Sequence, residues 1–258
     1  MLKLIDTHAH LDQIENITEE LKLAVQAGVE AVVAVGVDLK SNQKNLELKG
    51  KAQTPKIFTA LGIHPQSLEV FDEEEIEKGI RFIREHIKDA IAIGEIGLDF
   101  WYKWAKKDEI KKEQQRAIFK RQLEIAAEFN LPAIIHSRGT WKECLDMAQA
   151  AGIKKANFHW YSGPEDILDE IIKCGYFISA SPAVAGSPQH QKAVLHVPIE
   201  QLLIETDSPV FYREGENGFR AGPKDVARTL KHYCALTSMA PDKAAEIFYQ
   251  NSKRFFAI

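Results

Sequence analysis

Two histidines, His8 and His10, lie two residues apart just beyond an apolar run at Leu2–Asp6. In an extended chain alternate side chains share a face, so both imidazoles can reach one cation. Asp6 has the same parity and can turn inward too, or brace the turn. Such a pair on its own is also a common way to pack polar groups. It gains meaning from four further residues. Glu95 closes a run in AIAIGEIGLD, His136 in AIIHSR, His159 in ANFHWYSG and Asp207 in LLIETDSP. Singly, each reads equally well as a capped loop residue. Four imidazoles and two carboxylates converging on one place need partners, and divalent metal ions supply them. Two such ions lower the pKa of a shared water and polarise a phosphoryl or carbonyl oxygen, which is the chemistry of hydrolysis.

The elements that must position these groups follow from the hydrophobic pattern. Eight short apolar runs recur at Leu2–Asp6, Ala31–Val37, Ile57–Leu61, Ala90–Ile96, Ala133–His136, Asn157–His159, Tyr176–Ser179 and Leu202–Glu205. The stronger ones are apolar almost throughout, as in parallel strands covered on both faces. Helical patterns separate most of them: one capped by Thr18 and stopped by Gly28, then Asp72 onward, Glu109–Asn130, Trp141–Ala151, Pro164–Cys174, Gln189–His196, Pro223–Thr237 and Pro241–Phe256. The alternation predicts an α/β protein, a (β/α)8 TIM barrel formed as one domain over residues 1–258. An open doubly wound sheet would offer a glycine-rich phosphate loop after its first strand, where this chain has Asp-Thr-His-Ala-His. In a barrel all six candidate ligands fall at the C-terminal mouth, where barrel enzymes do their chemistry.

Other residues are candidates for holding a substrate. His64, in GIHP after the third run, can touch substrate, support the metal shell or simply pack. Arg138, two residues beyond His136, shares its parity, and Arg213 and Arg220 lie in the loop beyond strand eight. Arginine suits bidentate phosphate contact, although a surface ion pair is the plainer reading of each. Phe100, Trp101, Tyr102 and Trp104 are interleaved with Lys103, Lys106, Lys107, Lys111 and Lys112, and Trp160 and Tyr161 follow His159. Either set can stack bases or just pack a loop. Gly62, Gly94, Gly97 and Gly163 suit close backbone approaches near a site. His86, His190, His196 and His232 read as surface or structural.

The bulk composition narrows the choice of partners. A net charge of −4 gives no general attraction to nucleic acid, so such a partner would need a local basic patch. No stretch approaches the ~20 apolar residues of a membrane span. The first residues lack a signal peptide's apolar region, and Cys144, Cys174 and Cys234 form no CxxC pair, which points to reduced thiols in a cytoplasmic protein.

Taken together, DTHAHLD, GIHP, GEIGLDF, IIHSR, FHWYSG and ETDSP, with a closing NSKRFF, resemble the TatD family in order and spacing from residue 4 to about residue 256. The resemblance implies a metal-dependent deoxyribonuclease of the amidohydrolase superfamily with a two-metal site. His8, His10 and Asp207 would bind one divalent ion, and His136 and His159 the other. Glu95 would bridge them, in the place of the carboxylated lysine of phosphotriesterase-like relatives. The ions would be Zn, Mn, Mg, Co or Ni. A metal-activated hydroxide would attack a phosphodiester, with Asp207 and Glu95 as catalytic groups. His64, Arg138, Arg220, Trp160 and Tyr161 would contact the substrate, most simply single-stranded DNA cut from an end. Trp160-Tyr161 and the Phe219-Arg220-Ala221-Gly222-Pro223 loop depart from the family's usual Cys-Phe and Arg-Asn-Glu-Pro, which bears on substrate choice rather than on the ligands. The alternative is an amidohydrolase acting on an amide, cyclic amide or ester. A scaffold has no reason to keep all six ligands. The residues leave the oligomeric state open and are compatible with a monomer.

Overall fold

The computed structural model describes residues 2–52, 54–214 and 217–258. Eight strands form one parallel sheet in sequence order: β1 (Leu4–Ala9), β2 (Val29–Val35), β3 (Lys56–Leu61), β4 (Ala90–Asp99), β5 (Ala133–Arg138), β6 (Ala156–Phe158), β7 (Phe177–Ala180) and β8 (Leu202–Ile204). The sheet curls until its last strand meets its first. Ala9 bridges Ser208 in parallel, Asp207 N donates to the His8 carbonyl at 2.9 Å, and His10 N donates to the Ser208 carbonyl at 2.7 Å. The barrel therefore closes at the segments that carry His8, His10 and Asp207.

The two faces of each strand sort into two apolar clusters, as the pleat requires. Val32, Ala34, Ala133, Ile135, Leu202 and Ile204 pack with helix residues such as Leu21, Ile80 and Leu123. Val33, Val35, Ala60, Ala92, Ile134 and Leu203 face the other way, closed off by Phe177, Phe255 and Phe256. This second set is the barrel interior, and His136 and Glu205 continue it along β5 and β8. On β4 the pairing with β5 shifts register between Ile93 and Ile96. That shift reverses the parity, so Ile96 and Leu98 join the outer cluster while Glu95, Gly97 and Asp99 take the inner face.

The helices are α1 (Ile17–Gln26), α2 (Leu39–Lys51), α3 (Glu73–Glu85), α4 (Glu109–Glu128), α5 (Trp141–Ala150), α6 (Glu165–Lys173), α7 (Pro188–His196), α8 (Val226–Thr237) and α9 (Pro241–Phe256). Helix α1 starts from Asn16, two residues before the expected Thr18, because Ile17 already turns its side chain toward the core. Helix α2 was not expected from the pattern. Its buried residues are Ser41, Asn42 and Asn45 rather than an apolar stripe. A reciprocal cap between Asp38 and Ser41 starts it, and Asn42 holds it to both backbone groups of Gly62. Beyond β8 the chain forms a hairpin, β9 (Phe211–Glu214) with β10 (Asn217–Arg220), where a loop was expected. Among the described residues no helix is long and apolar enough to cross a membrane.

Candidate metal centre

Glu95 is the hub of the mouth. Its carboxylate is buried, with one oxygen facing each half of the site. Oε2 lies 3.3 Å from His8 Nε2 and 3.4 Å from His10 Nε2. Oε1 lies 2.9 Å from His136 Nδ1, 2.8 Å from His159 Nε2 and 3.3 Å from His64 Nε2. Gly62 lets this happen: a Cβ there would sit 2.6 Å from the Gly94 carbonyl carbon and 2.8 Å from Glu95 N, so only glycine lets β3 approach the hub so closely.

The first half has the spacing of a tetrahedral cation site. His8 Nε2 and His10 Nε2 are 3.3 Å apart, and Asp207 Oδ1 is 3.6 and 3.3 Å from them. A cation about 2.0–2.1 Å from four tetrahedral donors holds them roughly 3.3–3.4 Å apart. Five of the six separations among His8, His10, Glu95 and Asp207 are thus 3.3–3.6 Å, close to that spacing. Asp207 adopts φ 49° to reach the site. Asp tolerates this left-handed region better than most residues, and such conformations gather where surrounding structure enforces them.

The far nitrogen of three imidazoles is committed to an acceptor, which leaves the near nitrogen's lone pair for a metal. His10 Nδ1 is 3.1 Å from the Val35 carbonyl, His136 Nε2 is 3.0 Å from Asp99 Oδ2, and His159 Nδ1 is 3.3 Å from Glu205 Oε1. Glu205 also accepts from Ser179 Oγ, and Asp99 from Arg138 Nε and the Trp101 amide. Asp99 and Glu205 were not singled out in the sequence. Both share the parity of a ligand, at Glu95 plus four and Asp207 minus two. Asp6 braces the first and last strands, accepting from the amide and hydroxyl of Thr206 at 2.9 and 2.6 Å.

The charges of the cluster act on one another. Burial works against ionising Glu95, but His64, His159, His10 and His136 hold it well below the usual carboxylate range. Burial likewise opposes ionisation of Asp207 and is outweighed by His10, His8 and His159. Burial would depress His10, yet Asp207 and Glu95 lift it to about 10. Imidazoles and carboxylates in such balance carry protons that a cation must displace.

The centre opens into a cleft of about 810 Å³ that His64, Arg138, Tyr102 and Trp160 also line. Arg138 lies over the Tyr102 ring, 4.9 Å from its centroid. Trp160 holds φ 45°, and its ring sits 5.4 Å from that of Tyr212. Two expected substrate contacts, Tyr161 and Arg220, and the further candidate Arg213 are placed differently. Tyr161 is 1% exposed, packed in the core with its hydroxyl on the Pro164 carbonyl at 2.6 Å, because it takes the face opposite to Trp160. Arg220 is exposed on β10, outside the cleft lining, and donates to the Pro209 carbonyl at 3.1 Å. Arg213 is exposed on β9 and does not line the cleft either. Trp101 is more than half exposed, with its ring edge-on to Trp141. His190 is buried and structural, linking the Tyr161 carbonyl to the Ser181 amide.

The chain is similar to known proteins over nearly its whole length. The family model for TatD related DNase matches residues 5–257. A metal-dependent hydrolase of Methanocaldococcus jannaschii is 33% identical, covering 99% of this chain and 97% of its own. Human deoxyribonuclease TATDN3 is 29% identical, covering 98% of this chain and 94% of its own. The crystal structure of YjjV, a TatD homologue from Escherichia coli, matches with a TM-score of 0.88 at 26% identity over 99% of this chain and 98% of that one. On the whole-chain family match, this protein belongs to the TatD-related DNase family.

Proposed function

We propose that this chain is a divalent-metal-dependent deoxyribonuclease that hydrolyses phosphodiester bonds with a two-metal centre. The observation that carries the reading is the divided environment of Glu95, one oxygen toward His8 and His10 and the other toward His136 and His159. His8, His10 and Asp207 would hold one ion, His136 and His159 the second, and Glu95 both. When bound, divalent cations supply Lewis acidity and a lowered pKa for water. The protein's own groups do the rest. The Asp207 carboxylate, held ionised, orients the attacking water and accepts its proton. Arg138, at the cleft wall, clamps a phosphate oxygen. Trp160 and Tyr102 offer ring faces to unpaired bases, which favours a single strand and attack near its end. Three free cysteines agree with a reducing, cytoplasmic setting.

The test is release of nucleotides from a labelled single-stranded DNA oligonucleotide by metal-stripped protein resupplied with Mg, Mn or Zn. Cleavage restored by metal in the native chain and lost in Glu95→Ala is the expected result. No cleavage with any of these ions, at confirmed occupancy, would overturn the reading and point to an amide or ester substrate.

A further inference from the structure

His64 differs from the other imidazoles of the mouth in which nitrogen is committed. Its Nδ1 accepts a hydrogen bond from the backbone N–H of Gln66 at 3.1 Å, capping the short 3-10 helix Pro65–Glu69. An N–H can donate only to an unprotonated nitrogen, so the single proton of neutral His64 sits on Nε2. His10, His136 and His159 have the reverse arrangement, with the far nitrogen against an acceptor outside the centre and the near one turned to Glu95. His64 lines the cleft, and its Nε2 lies 3.3 Å from Glu95 Oε1, presenting an N–H rather than a lone pair. A cation on that nitrogen would have to strip the ring of its last proton. Distance alone groups His64 with Glu95 and His136 as a ligand set. The tautomer removes it from that set.

The ring is also held rigidly. His64 N donates to the Val37 carbonyl at 2.9 Å, its carbonyl accepts from Ser67 N at 3.0 Å, and its ring meets His136 edge-on at 4.4 Å. A donor fixed in advance needs no reorganisation when charge develops before it.

We propose that His64 is a hydrogen-bond donor to the phosphoryl oxygen on which negative charge builds, and not a metal ligand. The proposal rests on the phosphodiester reading above. The Nε2–H is shared with that oxygen and not transferred, so the ring stays neutral throughout. A neutral imidazole can act as an electrophile in this way.

The experiment measures two things on metal-saturated, desalted native protein, His64→Ala and His64→Gln. One is metal per chain by mass spectrometry. The other is kcat and KM on bis(4-nitrophenyl) phosphate and on the labelled oligonucleotide. All three proteins should carry the same metal content. His64→Ala should lose roughly 10²–10³-fold in kcat, as for removal of an oxyanion donor. His64→Gln, which keeps an amide N–H at similar reach, should recover at least about 10-fold of that loss. Loss of an ion from either variant, or an unchanged kcat in His64→Ala, would overturn the proposal. If His64→Ala does not fold, the metal content and kcat of His64→Gln decide. If the native protein cleaves neither diester, the nuclease reading fails and the phosphoryl role fails with it. The metal content then still decides whether His64 is a ligand.

Discussion

Glu205 holds its carboxylate 3.3 Å from Nδ1 of His159, on the side of the ring away from Glu95, and it is fully buried. It fixes the tautomer that leaves His159 Nε2 free toward the centre. Replacing Glu205 with Gln keeps the volume and removes the charged acceptor. Chelator competition should show metal affinity falling by roughly 10–100-fold, the usual cost of losing such a partner. An unchanged affinity would mean that Glu205 only fills the barrel floor.

Arg138 and Arg220 separate two kinds of basic residue near the mouth. Arg138→Gln should raise KM for the oligonucleotide by about 10-fold or more, since a charge-assisted contact in the cleft is lost. Arg220→Gln should leave KM within roughly twofold, because its guanidinium is exposed and tied to the Pro209 carbonyl. Steady-state kinetics on one substrate decides both. Equal effects would mean that substrate reaches beyond the cleft onto the hairpin.

Gly62 ties backbone packing to the centre. Gly62→Ala places a methyl carbon 2.8 Å from both the amide nitrogen and the carbonyl oxygen of Glu95. Thermal unfolding should show a loss of about 1–3 kcal/mol from overpacking. Metal affinity should fall as well, because the hub itself is displaced. A variant with native affinity would show that β4 can yield without moving the Glu95 carboxylate.

The pH dependence of the metal-free protein follows from His10. Its folded-state pKa is raised from 6.5 to about 10, burial notwithstanding, by Asp207 and Glu95. A raised imidazole pKa stabilises the fold fully below pH 6.5, and that contribution is lost as pH climbs through about 10. The Tm of metal-stripped protein should therefore decline over this interval. A cation replaces the proton, so metal affinity should rise over the same interval and binding should release protons. Calorimetry in buffers of different ionisation enthalpy measures that release. Binding without proton release would contradict the paired state of His10.

Much of the candidate centre was legible in the sequence because the candidate ligands sit at the ends of apolar runs, and a barrel sends all such ends to one mouth. His8, His10, Glu95, His136, His159 and Asp207 converge for that reason. Parity failed where the backbone leaves the regular strand. Trp160 turns through a positive φ, so it reaches the cleft while Tyr161 packs in the core. The register shift on β4 puts Glu95 on the inner face, three residues from Ala92, and brings Asp99 in line behind His136. Helix α2 escaped notice because its buried face is Ser41, Asn42 and Asn45. The signal for it was the Asp38–Ser41 cap. The tautomer of His64 depends on one backbone amide and has no counterpart in residue type.

The central claim is that one carboxylate, Glu95, holds two cations. Anomalous diffraction from a crystal loaded with Mn or Zn tests it most directly. Two peaks, one between Glu95 and the His8–His10 pair and one between Glu95 and the His136–His159 pair, are the predicted result. A single peak, or a second peak away from the Glu95 carboxylate, would contradict it.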